Sequence, residues 1–431
     1  MIDLELIAKI KNKKAKVGIV GMGYVGVPLG IEFAERGLEV VGFDTDAEKI
    51  KNINSGKQIM KHISSKKMTK FVKKGCKATS DFEELKHTDC ILMCVPTPLD
   101  TYEQPDMSYV KSATKTISKN LRKGQLVILE STTYPGTTKE IIKPILEESG
   151  LVAGKDFFLA YSPEREDPGN KDFSVSKIPK VIGGLTDKCL SVADTLYSQI
   201  ISETVKVSSP ETAEATKLME NIFRAVNIAM VNELKLVFER MNINIWEVIE
   251  AANSKPFGFM PFYPGPGMGG HCIPIDPFYL SWKAKEFNTE AKFIELAGEV
   301  NRKMTENVAH RIGKALNDHS KSIRKSNILM LGLAYKKDID DMRESPALKI
   351  AELLRFKGAN ISYHDPYIND AKELEFVELN KESLRKADAV VITTDHSNVD
   401  YEMVGKYARL IIDTRNVMAG VKNPKADVLR A

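Results

Sequence analysis

Lys16-Val-Gly-Ile-Val-Gly-Met-Gly-Tyr-Val-Gly26 decides the fold. Lys16 to Val20 is a short β-branched run that ends directly in Gly21-Met-Gly-Tyr-Val-Gly26, and Pro28 to Glu35 then reads as a helix. A strand, a glycine loop and a helix in that order turn the unpaired N–H groups of the helix N-terminus toward a diphosphate. A second strand over Leu38 to Phe43 ends in Asp44, 21 residues beyond Gly23. That is close to the separation at which an acid hydrogen-bonds the ribose hydroxyls of a dinucleotide and repels the extra phosphate of NADP. A bare G-x-G-x-x-G is weak evidence, and a glycine turn without a ligand is its alternative. With strand, helix and acid in place, the stretch predicts an NAD site on Gly21, Gly23, Tyr24, Val25, Gly26 and Asp44. Lys49 is either a further cofactor contact or a solvated lysine.

The same alternation continues outward. Strands are expected at Cys90 to Val95, Leu126 to Leu129 and Phe157 to Ala160, separated by helix-length polar segments, which is the pattern of a parallel, doubly wound sheet. Ser209-Pro210-Glu211 starts a helix, since serine caps, proline suits the first position and glutamate favours the dipole. Beyond Pro210 neither glycine nor proline intervenes up to Arg240, and apolar residues from Leu218 to Phe238 occupy more than one face. A helix this long and apolar nearly all round is buried between domains or between subunits. The third segment repeats the first. Asn327 to Leu331 is a strand, and Lys357-Gly-Ala-Asn-Ile-Ser-Tyr-His-Asp365 mirrors Arg36-Gly-Leu-Glu-Val-Val-Gly-Phe-Asp44. Gly332-Leu-Ala-Tyr-Lys336 stands where the glycine fingerprint would be, so this half is expected to bind something other than a dinucleotide. The fold class is α/β: two Rossmann-like doubly wound domains, residues 1–208 and 311–431, flanking a central helical domain, 209–310, built on one long helix.

Composition narrows the function classes. At 431 residues the chain is too long for a single small module. Its 62 basic against 58 acidic residues, net +4, lack the concentrated positive charge of a dedicated nucleic-acid binder. The lysine-rich stretch from Lys57 to Lys77 has few aromatics for base stacking and reads as a solvated helix face. Cys76, Cys90, Cys94, Cys189 and Cys272 form no C-x-x-C pair, which points to reduced thiols in the cytoplasm. Val17 to Ile31 is an uncharged stretch broken by glycines and shorter than the roughly 20 apolar residues of a bilayer span. Neither a membrane nor a nucleic acid is expected as a partner.

Two constellations carry chemistry. Pro264-Gly-Pro-Gly-Met-Gly-Gly-His-Cys-Ile-Pro-Ile-Asp276 is too rich in Gly and Pro for helix or strand. A lone cysteine is commonly a small buried hydrophobe. A thiol among glycines, however, admits close approach of a substrate, and Asp276 four residues on is placed to orient or deprotonate water. Zinc on His271, Cys272 and Asp276 is disfavoured, because adjacent ligands seldom fit one tetrahedral ion, and no metal is expected. Lys217 and Asn221 share one face of the long helix, as a solvated stripe or as the cation and amide of an oxyanion site.

These stretches, with Cys94-Val-Pro-Thr97, Glu130-Ser-Thr132, Tyr161-Ser-Pro-Glu164 and Arg343-Glu-Ser-Pro-Ala347, occur in the order seen in the UDP-glucose/GDP-mannose dehydrogenase family. The resemblance covers almost the whole chain. Ser162 to Asn170 and Gly265 to Leu280 are most similar to the branch that oxidises UDP-N-acetylglucosamine at C6. Carried over position by position, the resemblance makes Cys272 the nucleophile that captures a C6 aldehyde and Asp276 the group that helps activate water, while Lys217 and Asn221 stabilise the oxyanion. Thr132 would hold a water or the C6 hydroxyl beside the nicotinamide, with Glu164 as nearby acid/base. Thr97, Asp44, Thr132 and Arg343 would contact NAD. Glu164, Arg165, Lys217, Asn221, Tyr263, Gly269, Lys336 and Arg415 would contact the nucleotide sugar.

The chain departs from the UDP-glucose pattern at three places. Ile275 replaces a lysine three residues after the nucleophile, Pro168 stands at a second glutamate, and a partner-subunit arginine is replaced near Phe257. The implied reaction is a four-electron oxidation by two NAD in turn, taking UDP-N-acetylglucosamine to its uronate through a Cys272 thiohemiacetal and thioester, for surface polysaccharide or glycan synthesis. UDP-N-acetylmannosamine or UDP-glucose are the alternative substrates, and a two-electron dehydrogenase of the 3-hydroxyacid type is the competing reading. The long helix implies a homodimer or a higher homo-oligomer.

Overall fold

The computed structural model describes residues 2–60, 63–102, 104–165, 175–270 and 273–431. The chain forms two compact units, residues 1–220 with 278–289 and residues 221–277 with 290–431.

In the first unit, β1 (Lys16–Val20), β2 (Glu39–Phe43), β3 (Lys77–Thr79), β4 (Cys90–Met93), β5 (Leu126–Leu129), β6 (Phe158–Tyr161), β7 (Lys180–Gly184) and β8 (Thr204–Val207) form one sheet in the order β3-β2-β1-β4-β5-β6-β7-β8. β4, β5 and β6 are buried at every position, as expected of central strands covered on both faces. The expected parallel sheet holds from β3 through β6, but β7 runs antiparallel to β6. The reversal brings the first residue of β7 to the edge where β5 and β6 end. A helix at Ile2–Lys11, unforeseen in the sequence, buries Leu6 and Ile10 and packs on helix Asp187–Tyr197. The lysine-rich stretch forms helix Ser65–Lys73, with Met68 and Phe71 buried and its four lysines exposed; Lys61 and His62 lie outside the described residues.

In the second unit, β9 (Asn327–Leu331), β10 (Asn360–His364), β11 (Glu375–Phe376), β12 (Ala389–Ile392), β13 (Leu410–Asp413) and β14 (Asp427–Arg430) form a parallel sheet in the order β11-β10-β9-β12-β13-β14. The echo of the first half extends to hydrogen bonds. Asp44 accepts from Met22 N at 2.9 Å and Asp46 N at 3.0 Å, and Asp365 accepts from Leu333 N at 2.7 Å and Tyr367 N at 2.8 Å. In each half an aspartate at the end of the second strand ties down the loop after the first.

The long helix spans Pro210–Arg240 and contributes residues to both units. Ser209 Oγ accepts from Thr212 N at 3.1 Å, the expected cap. Burial on all sides is not reached within the chain. Ala213, Leu218, Ala225, Ala229 and Val231 are buried, whereas Met219, Phe223, Met230, Val237 and Met241 are exposed at intervals of four and seven residues.

Lys235 of this helix is buried, and its ammonium has no hydrogen-bond partner among the described residues. Burial first, then the charges of Arg311 and Arg415, push it down to about 8. An unfolded lysine keeps its proton to a higher pH, so the unfolded state binds more protons between pH 8 and 10.5 and stability rises through that window. Below pH 8 the penalty is present in full. Lys235→Met is therefore expected to raise the melting temperature at pH 7 and flatten its rise above pH 8, with a gain of about 3 kcal/mol as an upper bound. A melting temperature below wild type in thermal scans would contradict this.

Candidate functional site

The three glycines after β1 do different work. Gly21 has φ +96°, and a Cβ there would lie 2.3 Å from the Cys94 carbonyl oxygen. At Gly26 a Cβ would lie 2.0 Å from the Gly21 carbonyl oxygen, so the helix Gly26–Glu35 seats against the loop only with glycine. At Gly23 nothing lies within 4 Å, which leaves the loop surface open where a diphosphate approaches the helix N-terminus. Asp44 adds the Lys49 ammonium at 2.9 Å to its two N–H donors. Burial works to raise its pKa, but those donors outweigh it and hold the carboxyl below its usual value. A buried, ionised acceptor beside an open glycine loop fits the ribose and diphosphate of a dinucleotide. Asp44→Asn is expected to raise KM for NAD roughly 10- to 100-fold, the effect of losing a charged hydrogen bond, with KM for the second substrate unchanged. An unaltered KM for NAD in initial-rate kinetics would contradict the assignment.

At the carboxyl edge of the same sheet lie Thr97, Thr132, Glu164 and Arg165. Ser131 Oγ donates to the Val95 carbonyl at 2.7 Å, joining the loops after β4 and β5. Thr97 is buried, and its carbonyl accepts from the Tyr279 hydroxyl at 2.6 Å. Tyr279 belongs to helix Asp276–Ala284, which begins at the expected water-activating aspartate. Glu164 accepts from Arg165 N at 2.7 Å and faces Lys180 Nζ at 3.4 Å. Arg165 is held by Glu220 at 2.7 Å and by the Pro179 carbonyl at 2.7 Å. Lys217 is buried, and its ammonium makes no hydrogen bond among the described residues. One turn earlier, buried Glu214 accepts from Gly136 N at 2.6 Å and from Thr138 N and Oγ1 at 2.9 and 2.7 Å. Burial pushes Glu214 up to about 7, against the hydrogen bonds it accepts. It fixes the loop carrying Thr132 to the helix turn that carries Lys217.

The second unit holds the other constellation. Asn221 Nδ2 donates to Asp276 Oδ2 at 2.5 Å, both side chains being buried, and Asn221 Oδ1 accepts from Arg224. Arg224 thereby orients the amide so that its N–H groups face Asp276. The glycine loop is seated on three surfaces. Gly265 N donates to Asn232 Oδ1 at 3.0 Å, a Cβ at Gly265 would lie 2.6 Å from the Arg415 guanidinium, and Gly270 N donates to the Arg343 carbonyl at 3.0 Å. Gly269 presses on Tyr335 and the Glu344 carbonyl, each 2.8 Å from a Cβ built there. The loop therefore meets Arg415 and the segment around Lys336, the residues expected to hold the nucleotide sugar. Arg415 is fixed by the Thr393 carbonyl at 2.9 Å, and Arg343 pairs with Asp341 at 2.6 Å. The Tyr263 hydroxyl, expected at the substrate, donates to Glu250 at 2.7 Å while its ring stacks on Trp246. His271 and Cys272 lie outside the described residues, as does Pro168.

Models of one family match three successive parts of the chain: the NAD binding domain of the UDP-glucose/GDP-mannose dehydrogenase family over residues 15–201, its central domain over 211–303 and its UDP binding domain over 329–420. The chain belongs to the UDP-glucose/GDP-mannose dehydrogenase family. It is 37% identical over 414 residues to UDP-N-acetyl-D-mannosamine dehydrogenase of Pyrococcus horikoshii, covering 94% of this chain and 96% of that one. It is 36% identical over 390 residues to UDP-N-acetyl-D-glucosamine 6-dehydrogenase of Pseudomonas aeruginosa, covering 89% and 91%. A solved structure of the Pyrococcus horikoshii UDP-ManNAc dehydrogenase superposes with a TM-score of 0.86 at 36% identity, covering 95% and 96%.

This dehydrogenase is thus an NAD-dependent oxidoreductase with a UDP-sugar substrate. Among the described residues no helix is long and apolar enough to cross a membrane. Sequence reading missed Glu214, Tyr279 and Lys180. For Glu214 a signal existed, since an acid one turn from Lys217 in an apolar helix needs a partner. For Tyr279 and Lys180 none did.

Proposed function

We propose that the enzyme oxidises C6 of UDP-N-acetylglucosamine to the carboxylate in two successive two-electron steps. NAD, when bound, accepts the electrons as hydride. Thr132 holds the C6 hydroxyl, or a water beside it, and Glu164 takes its proton. The Cys272 thiolate adds to the resulting aldehyde as a thiohemiacetal, whose oxidation leaves a thioester. Lys217 and the second Asn221 N–H meet the oxyanion. Asp276, oriented by the other Asn221 N–H, activates the water that hydrolyses the thioester. The observation that carries the reading is the buried Asn221–Asp276 pair, with Asn221 four residues beyond Lys217 and Asp276 four residues beyond Cys272 in the sequence.

The 2-acetamido sugar is supported by Ile275 and Pro168, where the UDP-glucose pattern has lysine and glutamate, and by relatives named for 2-acetamido sugars. The gluco epimer rests on the stretches Ser162 to Asn170 and Gly265 to Leu280. The manno epimer is the second reading, favoured by the 37% identical relative. Epimers differ through a few pocket contacts of about 1 to 3 kcal/mol each, so kcat/KM for UDP-N-acetylglucosamine, UDP-N-acetylmannosamine and UDP-glucose, measured side by side, tests the choice. The largest value is expected for the gluco sugar, and a larger value for the manno sugar would overturn it.

The division into an NAD domain to residue 208, a central domain to 310 and a UDP-sugar domain beyond is supported by the three matched ranges. The exposed stripe Met219, Phe223, Met230 and Val237 has coiled-coil spacing and supports a homodimer or higher homo-oligomer through the long helix. A cytoplasmic setting is supported by Cys76, Cys90, Cys94 and Cys189, all free.

A further inference from the structure

Three polar side chains from three elements, Lys180, Glu130 and Tyr197, meet beneath Glu164. Lys180, first residue of β7, is almost fully buried, and its ammonium lies 2.7 Å from Glu130 Oε2 and 3.4 Å from Glu164 Oε2. Glu130, at the end of β5, is completely buried and accepts on its other oxygen from the Tyr197 hydroxyl. The Lys180 ammonium also lies over the Tyr197 ring, 5.2 Å from its centroid. Glu130 immediately precedes Ser131 and Thr132, so the cluster sits under both loops that carry the proposed proton-transfer groups.

The charges do not balance by themselves. One ammonium faces two carboxylates, and one of these, Glu130, has no access to water. Burial pushes Glu130 up, opposed by Lys180; burial works against the Lys180 charge too, but Glu130 and Glu164 outweigh it and raise it. Lys180 and Glu130 thus form a neutral buried pair whose ammonium presents a remaining N–H toward Glu164. Among the described residues, the other titratable groups facing this cluster are Arg165, committed to Glu220 and the Pro179 carbonyl, and the Cys94 thiol, which burial keeps protonated. An ammonium beside a carboxylate favours the charged form, and a buried carboxylate without a partner is unfavourable.

We propose that Lys180 is the positioning residue for Glu164: anchored by Glu130 and Tyr197, it holds the Glu164 carboxylate ionised and in place at the carboxyl edge of the sheet. This function exists because β7 runs antiparallel to β6 and so begins where β6 ends. It rests on the reading of Glu164 as the acid/base of the reaction.

The test compares Lys180→Gln, Lys180→Arg and the double variant Glu130→Gln with Lys180→Gln, in which no second carboxylate is left buried, so that the fold survives if the single variant fails. For the folded glutamine variant, kcat for sugar oxidation is expected to fall about 10- to 100-fold, within the range of a compromised acid/base. The acid limb of its kcat profile is expected to move to higher pH, because Glu164 has lost its cation, with KM for NAD unchanged. Lys180→Arg is expected to restore both rate and profile. A fall in kcat with an unmoved acid limb, or a glutamine variant as active as wild type, would overturn the proposal. Glu164→Gln separates the two readings. If that variant keeps full activity, the role given to Glu164 fails first; if it is inactive while Lys180→Gln behaves as wild type, Glu164 stands and only the role of Lys180 falls.

Discussion

Cys272→Ser is expected to stop uronate formation, lowering steady-state NADH production by at least about a thousandfold, in the range by which loss of a nucleophile lowers covalent catalysis. A thiol is a few per cent thiolate at neutral pH and intrinsically very nucleophilic, whereas a serine hydroxyl needs an adjacent base. The first oxidation does not need the thiol, so the variant is expected to make one NADH per occupied site and then stall with the aldehyde uncaptured. Binding of the UDP-sugar, measured by calorimetry, is expected to stay close to wild type. The reason for a cysteine lies here: an aldehyde gives up a second hydride only after a nucleophile has added to its carbonyl carbon. Turnover of the serine variant at the wild-type rate would contradict covalent capture.

Asp276→Asn is expected to lower the rate about 100- to 10,000-fold, the contribution of a positioned general base. The substitution is close to isosteric, and the amide oxygen still accepts from Asn221 Nδ2, 2.5 Å away in the wild type, so the buried pair survives. What is lost is the charge that draws a proton from water. Because Cys272 remains, the block falls after the second oxidation, and the thioester is expected to accumulate. Intact-mass spectrometry of acid-quenched enzyme reads it as an adduct of the uronyl nucleotide. A loss under about tenfold, or no adduct, would show that Asp276 does not activate the water.

Much of this was legible in residues. Gly21, Gly23, Gly26 and Asp44 are tied by backbone geometry over one βαβ unit, where spacing along the chain is spacing in the fold. The second half was legible because its glycine and aspartate repeat at the same interval, and the structure adds that Asp44 and Asp365 anchor their loops alike. What depends on a contact between distant strands was not. Lys180 opens Lys-Val-Ile-Gly-Gly184 like any strand, and only the reversal of β7 carries it to Glu164. The Tyr279 hydroxyl reaches the Thr97 carbonyl over 182 positions of sequence.

The reaction proposed is a four-electron oxidation by two NAD in turn. With limiting UDP-N-acetylglucosamine and excess NAD, NADH is counted to completion and the product identified by mass. Two NADH per sugar, with the uronate as sole product, is the expected result. One NADH per sugar with an aldehyde or ketone as product would contradict it.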